Sequence, residues 1–228
     1  MTYFAVIVSA VSLAIVLYVT WSMIVPLSLP LCLKALLALL LLAAAFKEFI
    51  FRLVGGGMPF APDLPRWAML AGALLYNFLI VALFLLIVKD TFRLLWKIAA
   101  AFGLVKRTFP GGAAALCVAT IAAVLTLYGT WEAVRVPDVT RQDVVLPGLS
   151  PEFDGTRVAL LVDLHASALN RRPFIQAIVN RTNALSPDIV LIPGDFVDGF
   201  VQDRREDLEP LKNLSAPFGV WGTSGNHE

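Results

Sequence analysis

The chain has 228 residues, is 58% hydrophobic with a mean hydropathy of +0.78, and carries a formal net charge of +1. An ordinary soluble domain is not this apolar, and near-neutrality without a basic stripe of interleaved aromatics gives no support for a nucleic-acid partner. The cysteines, Cys32 and Cys117, both fall in apolar stretches, which argues against a disulfide framework or zinc ribbon and for small packing residues.

The apolar excess lies in roughly the first 130 residues, where four segments reach the length of a spanning helix: 4–25, 27–46, 68–88 and 113–131. The first lacks a charged n-region and an Ala-x-Ala site, so it does not read as a removable signal peptide. Pro26 and Pro30 bracket a tight connection, so the first two segments form a hairpin. Lys34 lies near a segment end, where it can snorkel. With no other charge expected inside a span, a transporter has little support. Asn77, inside the third segment, reads as interhelical glue. Gly55-Gly56-Gly57, followed by Pro59 and Pro62, reads as a flexible loop; the Lys-Ser/Thr of a phosphate loop is missing.

The loops differ in charge. Lys47, Arg52 and Arg66 lie between the second and third segments. Lys89, Arg93, Lys97, Lys106 and Arg107 lie between the third and fourth, with Asp90 the one acid. The positive-inside rule places the more basic loop in the cytoplasm. The N-terminus and the C-terminal region are then extracytoplasmic. Residues 90–109 fit either an interfacial amphipathic helix, with Arg93 and Lys97 near anionic lipid, or a plain extension of the third span.

Composition changes after Trp131. Residues 132–155 read as a short strand-bearing linker punctuated by Pro137, Pro147 and Pro151. From residue 156 the pattern is strand, helix, strand, helix, strand. Apolar runs at 157–162 and 189–192 have the look of strands buried on both faces. A helix is expected over 172–185, ended by Ser186-Pro187. A polar helix over 203–214 contains Pro210, which can kink it, and a third strand starts at Phe218. This alternation predicts a parallel sheet. The fold class is therefore a multi-pass α-helical membrane region, 1–131, a linker, 132–155, and a partial α/β domain, 156–228. Three strands alone would leave an apolar face and a raw edge uncovered.

Each strand is followed by a polar motif: Asp163-Leu164-His165, Gly194-Asp195-Phe196-Val197-Asp198 and Gly225-Asn226-His227-Glu228. Ligands of parallel sheets collect beyond the carboxyl ends of the strands. Asp163 and His165, two apart in extended backbone, face the same way. Gly194 and Gly225 permit tight turns and close backbone approach. Carboxylates, imidazole and amide oxygen together form the ligand set of a hydrolytic two-metal centre. Asp-Leu-His alone is common by chance, and Gly-Asp-x-x-Asp alone is often an ordinary turn. Gly-Asn-His-Glu is the most specific, and three such motifs on consecutive strand ends reinforce one another.

Residues 156–228 resemble the N-terminal half of the calcineurin-like metallophosphoesterase superfamily. The resemblance implies an α/β/β/α sandwich and a metal-dependent phosphoesterase. Asp163 and His165 would bind a first metal, Asp195 would bridge both, and Asn226 would give its oxygen to the second. His227 would act as the catalytic acid toward the leaving oxygen. Asp198 and Glu228 would stand behind these, Glu228 orienting His227. The cofactors would be two divalent cations, with Mn, Fe, Zn and Mg not distinguished, activating a hydroxide that attacks phosphorus. The family's later His and Gly-His-x-His elements are missing, so the chain is expected to be a fragment that binds metal weakly. A membrane location implies a lipid bilayer as partner and a phosphoester substrate, lipid-linked or nucleotide. The alternative is an inactive membrane protein with a vestigial or regulatory module.

Overall fold

The computed structural model describes residues 3–55, 62, 64–105 and 109–227. They fall into two compact units, one of Met1–Val54 with Trp67–Ala133, the other of Gly55–Arg66 with Val134–Glu228. Most of the expected glycine-rich loop, the basic pair Lys106 and Arg107, and Glu228 lie outside the described residues.

The first unit is helical: α1 (Tyr3–Val19), a π-helical turn (Thr20–Ile24), α2 (Leu31–Ala45), α3 (Lys47–Gly55), α4 (Arg66–Ala101) and α5 (Gly111–Val134). Among the described residues, three stretches, Ile7–Ile24, Arg66–Ala101 and Gly111–Val134, are long and apolar enough to cross a membrane. The expected second span is not. α2 has 15 residues, roughly 22 Å at 1.5 Å per residue, against about 30 Å of hydrocarbon. Pro30, extended at φ −63 and ψ 151, keeps the residues before it out of the helix, and Phe46, at φ −107 and ψ 17, ends it. α3 follows at once, in residues whose charges had suggested a loop.

Gly112, at the start of α5, approaches the end of α1 so closely that a Cβ there would lie 3.0 Å from the Pro26 carbonyl oxygen. Ser22 bonds to Lys89 of α4. Because α5 starts where α4 ends, α1 and α4 finish on the same side, and α2 with α3 carries the chain back. The core joins Val16, Val19 and Ile24 to Leu41, Leu79, Leu86 and Ala122, while Leu39, Phe84 and Val88 stay exposed. The interior is apolar as in a water-soluble bundle, but the surface is apolar too, which a water-soluble bundle avoids.

Several side chains differ from expectation. Among the described residues of this unit the buried charge is Lys89, 8% exposed. Lys34 is half-buried and its ammonium donates to the Val25 carbonyl at 2.7 Å, where the π-helical turn after α1 has run out of intrahelical partners. Asn77 is exposed and bridges no helices among the described residues. Cys32 and Cys117 are free and exposed rather than packed inside. Residues 90–101 continue α4 without a break, as a plain extension.

The second unit holds β1 (Val158–Leu160), α6 (Arg172–Ala184), β2 (Ile189–Ile192), α7 (Val201–Leu208), a 3-10 turn (Glu209–Asn213) and β3 (Val220–Gly222). The strands are parallel in the order β1-β2-β3, with Ala159 opposite Val190 and Val190 opposite Val220. Pro210 has the anticipated effect: the α-helix ends at Leu208 and tightens into the 3-10 turn. Residues 136–146 form no strand; Pro137 and Pro147 withdraw donors there, and Val144 and Val145 are exposed.

Only β2 approaches burial on both faces. Ala159, Val190 and Ile192 pack with Ile175 and Ile178 of α6 and with Leu211 of the 3-10 turn. On the other face Val158, Leu160 and Trp221 are exposed, because both helices pack against the same side. The residues preceding α4 belong to this unit. Leu64 is buried and its carbonyl accepts from Arg171 at 3.4 Å, while Arg66 Nε donates to the Leu169 carbonyl at 3.1 Å.

Candidate metal centre

The three motifs converge beyond the carboxyl ends of the strands, and backbone bonds hold them there. After β1 and β2 the chain stays paired: the His165 amide donates to the Asp195 carbonyl (2.9 Å), Ala166 to Phe196 (2.8 Å), and Asp198 back to Ala166 (3.0 Å). Leu164 and Val197 are buried beneath this zipper. The third motif docks through its glycine. A Cβ on Gly194 would lie 2.6 Å from Gly225 Cα, and one on Gly225 would collide with the carboxylate and amide of Asp195. Glycine is required on both sides of this contact, and Gly194 also has φ +116. The Asp195 Oδ1 then accepts the amides of Asn226 (3.0 Å) and His227 (3.1 Å).

The expected extended backbone at Asp163 and His165 is not what forms. Among the described residues, four non-glycine residues have positive φ: Asp163 (54), His165 (41), Asp195 (54) and Ser186 (47). Left-handed backbone costs a non-glycine residue about 1–3 kcal/mol and collects at functional sites, where surrounding structure over-determines it. Here the bonds at His165, Ala166 and Asp198 supply that constraint. Sequence spacing gave no signal of it.

Asp163, His165 and Asp195 present one ligand atom each, all within 4.8 Å of one another. His165 Nε2 lies 4.0 Å from Asp163 Oδ1 and 3.9 Å from Asp195 Oδ2. These gaps are too long for hydrogen bonds and suit donors sharing a cation at about 2.0–2.2 Å each. The other nitrogen, Nδ1, donates to Asp198 Oδ1 at 2.8 Å, which leaves the Nε2 lone pair for a metal. The residues therefore fit a divalent cation.

The same Asp198 oxygen also accepts from His227 Nδ1 at 2.8 Å, and the two imidazoles meet edge to face with centroids 4.6 Å apart. Asp198 thus orients both histidines, which the Gly-Asp-x-x-Asp spacing hints at but does not specify. Asn226 is placed beside Asp195 by its amide and is exposed. His165 is 27% and His227 46% exposed, so the imidazoles are open to a substrate from solvent.

Carboxylates and imidazoles gathered on the tips of a parallel sheet are a donor set suited to divalent cations, and comparison with known proteins gives the family. Residues 156–228 match the calcineurin-like phosphoesterase family. A transmembrane protein with metallophosphoesterase domain from Danio rerio is 30% identical over 166 residues, 72% of this chain and 38% of that protein. That match reaches well beyond residues 156–228, into the helical region. The Bos taurus protein of the same name is 28% identical over 141 residues, 61% of this chain and 32% of that one. UDP-2,3-diacylglucosamine pyrophosphatase LpxG from Chlamydia muridarum is 32% identical over 94 residues, 40% and 28% of the two chains. The chain spans no more than 38% of the length of these relatives. No solved structure matches it significantly. The C-terminal part of the chain is a calcineurin-like metallophosphoesterase domain, with apolar helices N-terminal to it.

Proposed function

We propose that this chain belongs to a multi-pass membrane protein whose C-terminal domain hydrolyses a phosphoester with the help of divalent cations. The observation that carries the reading is the convergence of Asp163, His165 and Asp195 at one sheet edge, with Asp198 holding the imidazole of His165 so that Nε2 is left for a metal.

Asp163, His165 Nε2 and a carboxylate oxygen of Asp195 would hold one cation. Asp195 and the side-chain oxygen of Asn226 would contribute to a second. When bound, such cations lower the pKa of water and neutralise charge on phosphate oxygens. His227 gives its proton to the leaving oxygen. Its Nδ1 is engaged by Asp198, so Nε2 does the transfer, a contribution of about 10²–10⁴-fold. Asp198 stabilises the imidazolium and fixes its orientation. The exposed imidazole and the apolar helices favour a substrate at a membrane surface. The lipid-linked nucleotide named for the Chlamydia muridarum relative makes a lipid-linked phosphoester the best-supported class. The loop between α4 and α5 is cytoplasmic and the domain extracytoplasmic on the charge bias of the loops.

The test is manganese titration of the purified chain, followed by hydrolysis of a chromogenic phosphodiester by a form carrying the further length of its relatives. Asp195→Ala should abolish both, since Asp195 offers a ligand oxygen beside Asp163 and His165 and holds the Asn226 and His227 amides. Hydrolysis that persists in Asp195→Ala sinks the reading. Alkaline phosphatase fused at Thr108 should be silent and fused after Glu228 active; the reverse pattern overturns the orientation.

A further inference from the structure

The helical unit is short of acids at one end. Between Arg66 and Trp131 the sequence holds Asp90 as its one acid, against Arg66, Lys89, Arg93, Lys97, Lys106 and Arg107. Asp90 is fully committed. Its Oδ2 accepts from the Tyr18 hydroxyl at 3.0 Å and from the Ser22 hydroxyl, and its Oδ1 faces Lys89 Nζ at 3.2 Å. Lys89 spends its remaining protons on the Ser22 carbonyl and hydroxyl oxygens, both at 2.6 Å.

One turn further along α4 the balance fails. Arg93 has a buried Nε with no hydrogen-bond partner, and among the described residues neither Arg93 nor Lys97 has an ion-pair partner. A guanidinium nitrogen removed from water and left unpaired is costly. The undescribed residues 106–108 add two cations and no acid by sequence. Among the described residues nothing supplies the missing counter-charge.

The surroundings identify its source. Phe92, Trp96 and Phe109 form an aromatic trio with ring centroids 6.0–6.3 Å apart, the residue type that settles at the headgroup level of a bilayer. Leu94, Leu95 and Ile98 on the same turns are 59%, 58% and 47% exposed. α4 has 36 residues, roughly 54 Å, so it outruns a hydrocarbon layer of about 30 Å. A soluble anion would satisfy Arg93 and leave the leucines in water. A phospholipid satisfies both, phosphate to the cations and acyl chains to the apolar flank.

We propose that Arg93 and Lys97, framed by Phe92, Trp96 and Phe109, bind the phosphate headgroup of an anionic phospholipid. The site rests on the membrane placement given above. The guanidinium fork takes two phosphate oxygens at once, and Lys97 adds charge one turn away.

The experiment reconstitutes the 228-residue chain in nanodiscs of phosphatidylcholine with and without phosphatidylglycerol and counts retained lipid by native mass spectrometry. The wild-type chain should retain phosphatidylglycerol preferentially. Arg93→Gln should lower that retention about fivefold, and Arg93→Gln with Lys97→Gln by about fivefold more, the size expected per basic residue near an anionic surface. Arg93→Lys should keep most of it. Equal retention of both lipids by the wild-type chain overturns the proposal whatever the variants do. Displacement of the lipid by inorganic phosphate overturns the lipid assignment. A chain that stays out of nanodiscs sinks the membrane placement itself, an outcome distinct from entry without lipid preference.

Discussion

The two units of this chain handle ionisable groups in opposite ways. In the helical unit the buried charge is cancelled from within: Lys89, Asp90, Ser22 and Tyr18 close a network in which every proton of the ammonium finds an oxygen. In the phosphoesterase unit the side chains of three site residues are gathered without bonding one another. Asp163, His165 and Asp195 stand too far apart to bond one another and close enough to share an ion. A pair that completes itself serves structure, and a cluster that stops short of completing itself serves chemistry. Backbone irregularity marks both places, a π-helical turn at Ser22 and positive φ at the three site residues, so irregularity alone does not tell them apart.

The comparison breaks first at Lys89. Lys89→Met leaves Asp90 without its cation, and breaking a buried pair from one side costs about 3–5 kcal/mol. Thermal unfolding in detergent should show that loss, and replacing Asp90 by Leu as well should restore much of it. If the single variant is as stable as the parent, the network does not hold α1 to α4. Asp198→Asn gives the second effect. The amide keeps the shape but weakens the grip on both imidazoles, and losing such a partner behind a metal ligand costs about 10–100-fold in metal affinity. Manganese titration measures it, and an unchanged affinity would show that His165 needs no orienting carboxylate.

The smallest effect sharpens the contrast from the surface. Arg172 holds the carboxyl of Glu209 below the ordinary glutamate value, by its hydrogen bond first and its charge second, with Lys212 adding to it. A depressed folded-state pKa contributes stability above the unfolded value, and that contribution disappears as pH falls through the folded one. Glu209→Gln should therefore lower stability slightly at neutral pH, flatten the acid limb of the unfolding profile, and differ from the parent no longer once pH falls below the folded-state value. Because the pair is exposed, raising the salt concentration should shrink even this difference.

Much of the molecule was legible in one dimension because local rules fix it. Apolar runs of spanning length mark α1, α4 and α5, since a helix that satisfies its own backbone needs only length and hydropathy to suit a bilayer. The strand–helix alternation and the three polar motifs after it are equally local, and the tips of parallel strands are where such motifs must meet. The second expected span failed because hydropathy over residues 27–46 does not register that Pro30 and Phe46 set the helix ends.

The rest depended on contacts between residues far apart in the chain. Lys89 reads as one of five loop cations until α1 arrives beside it and supplies Ser22 and Tyr18. Asp198 reads as a second acid in a turn motif until the third motif docks, through the close approach of Gly194 and Gly225, and brings His227 to the oxygen already bound to His165. Sequence determined which residue types stand at the strand tips, because backbone periodicity places them there. Tertiary structure decided which of them share an oxygen and which leave room for an ion, because those distances are set by packing between segments about thirty residues apart.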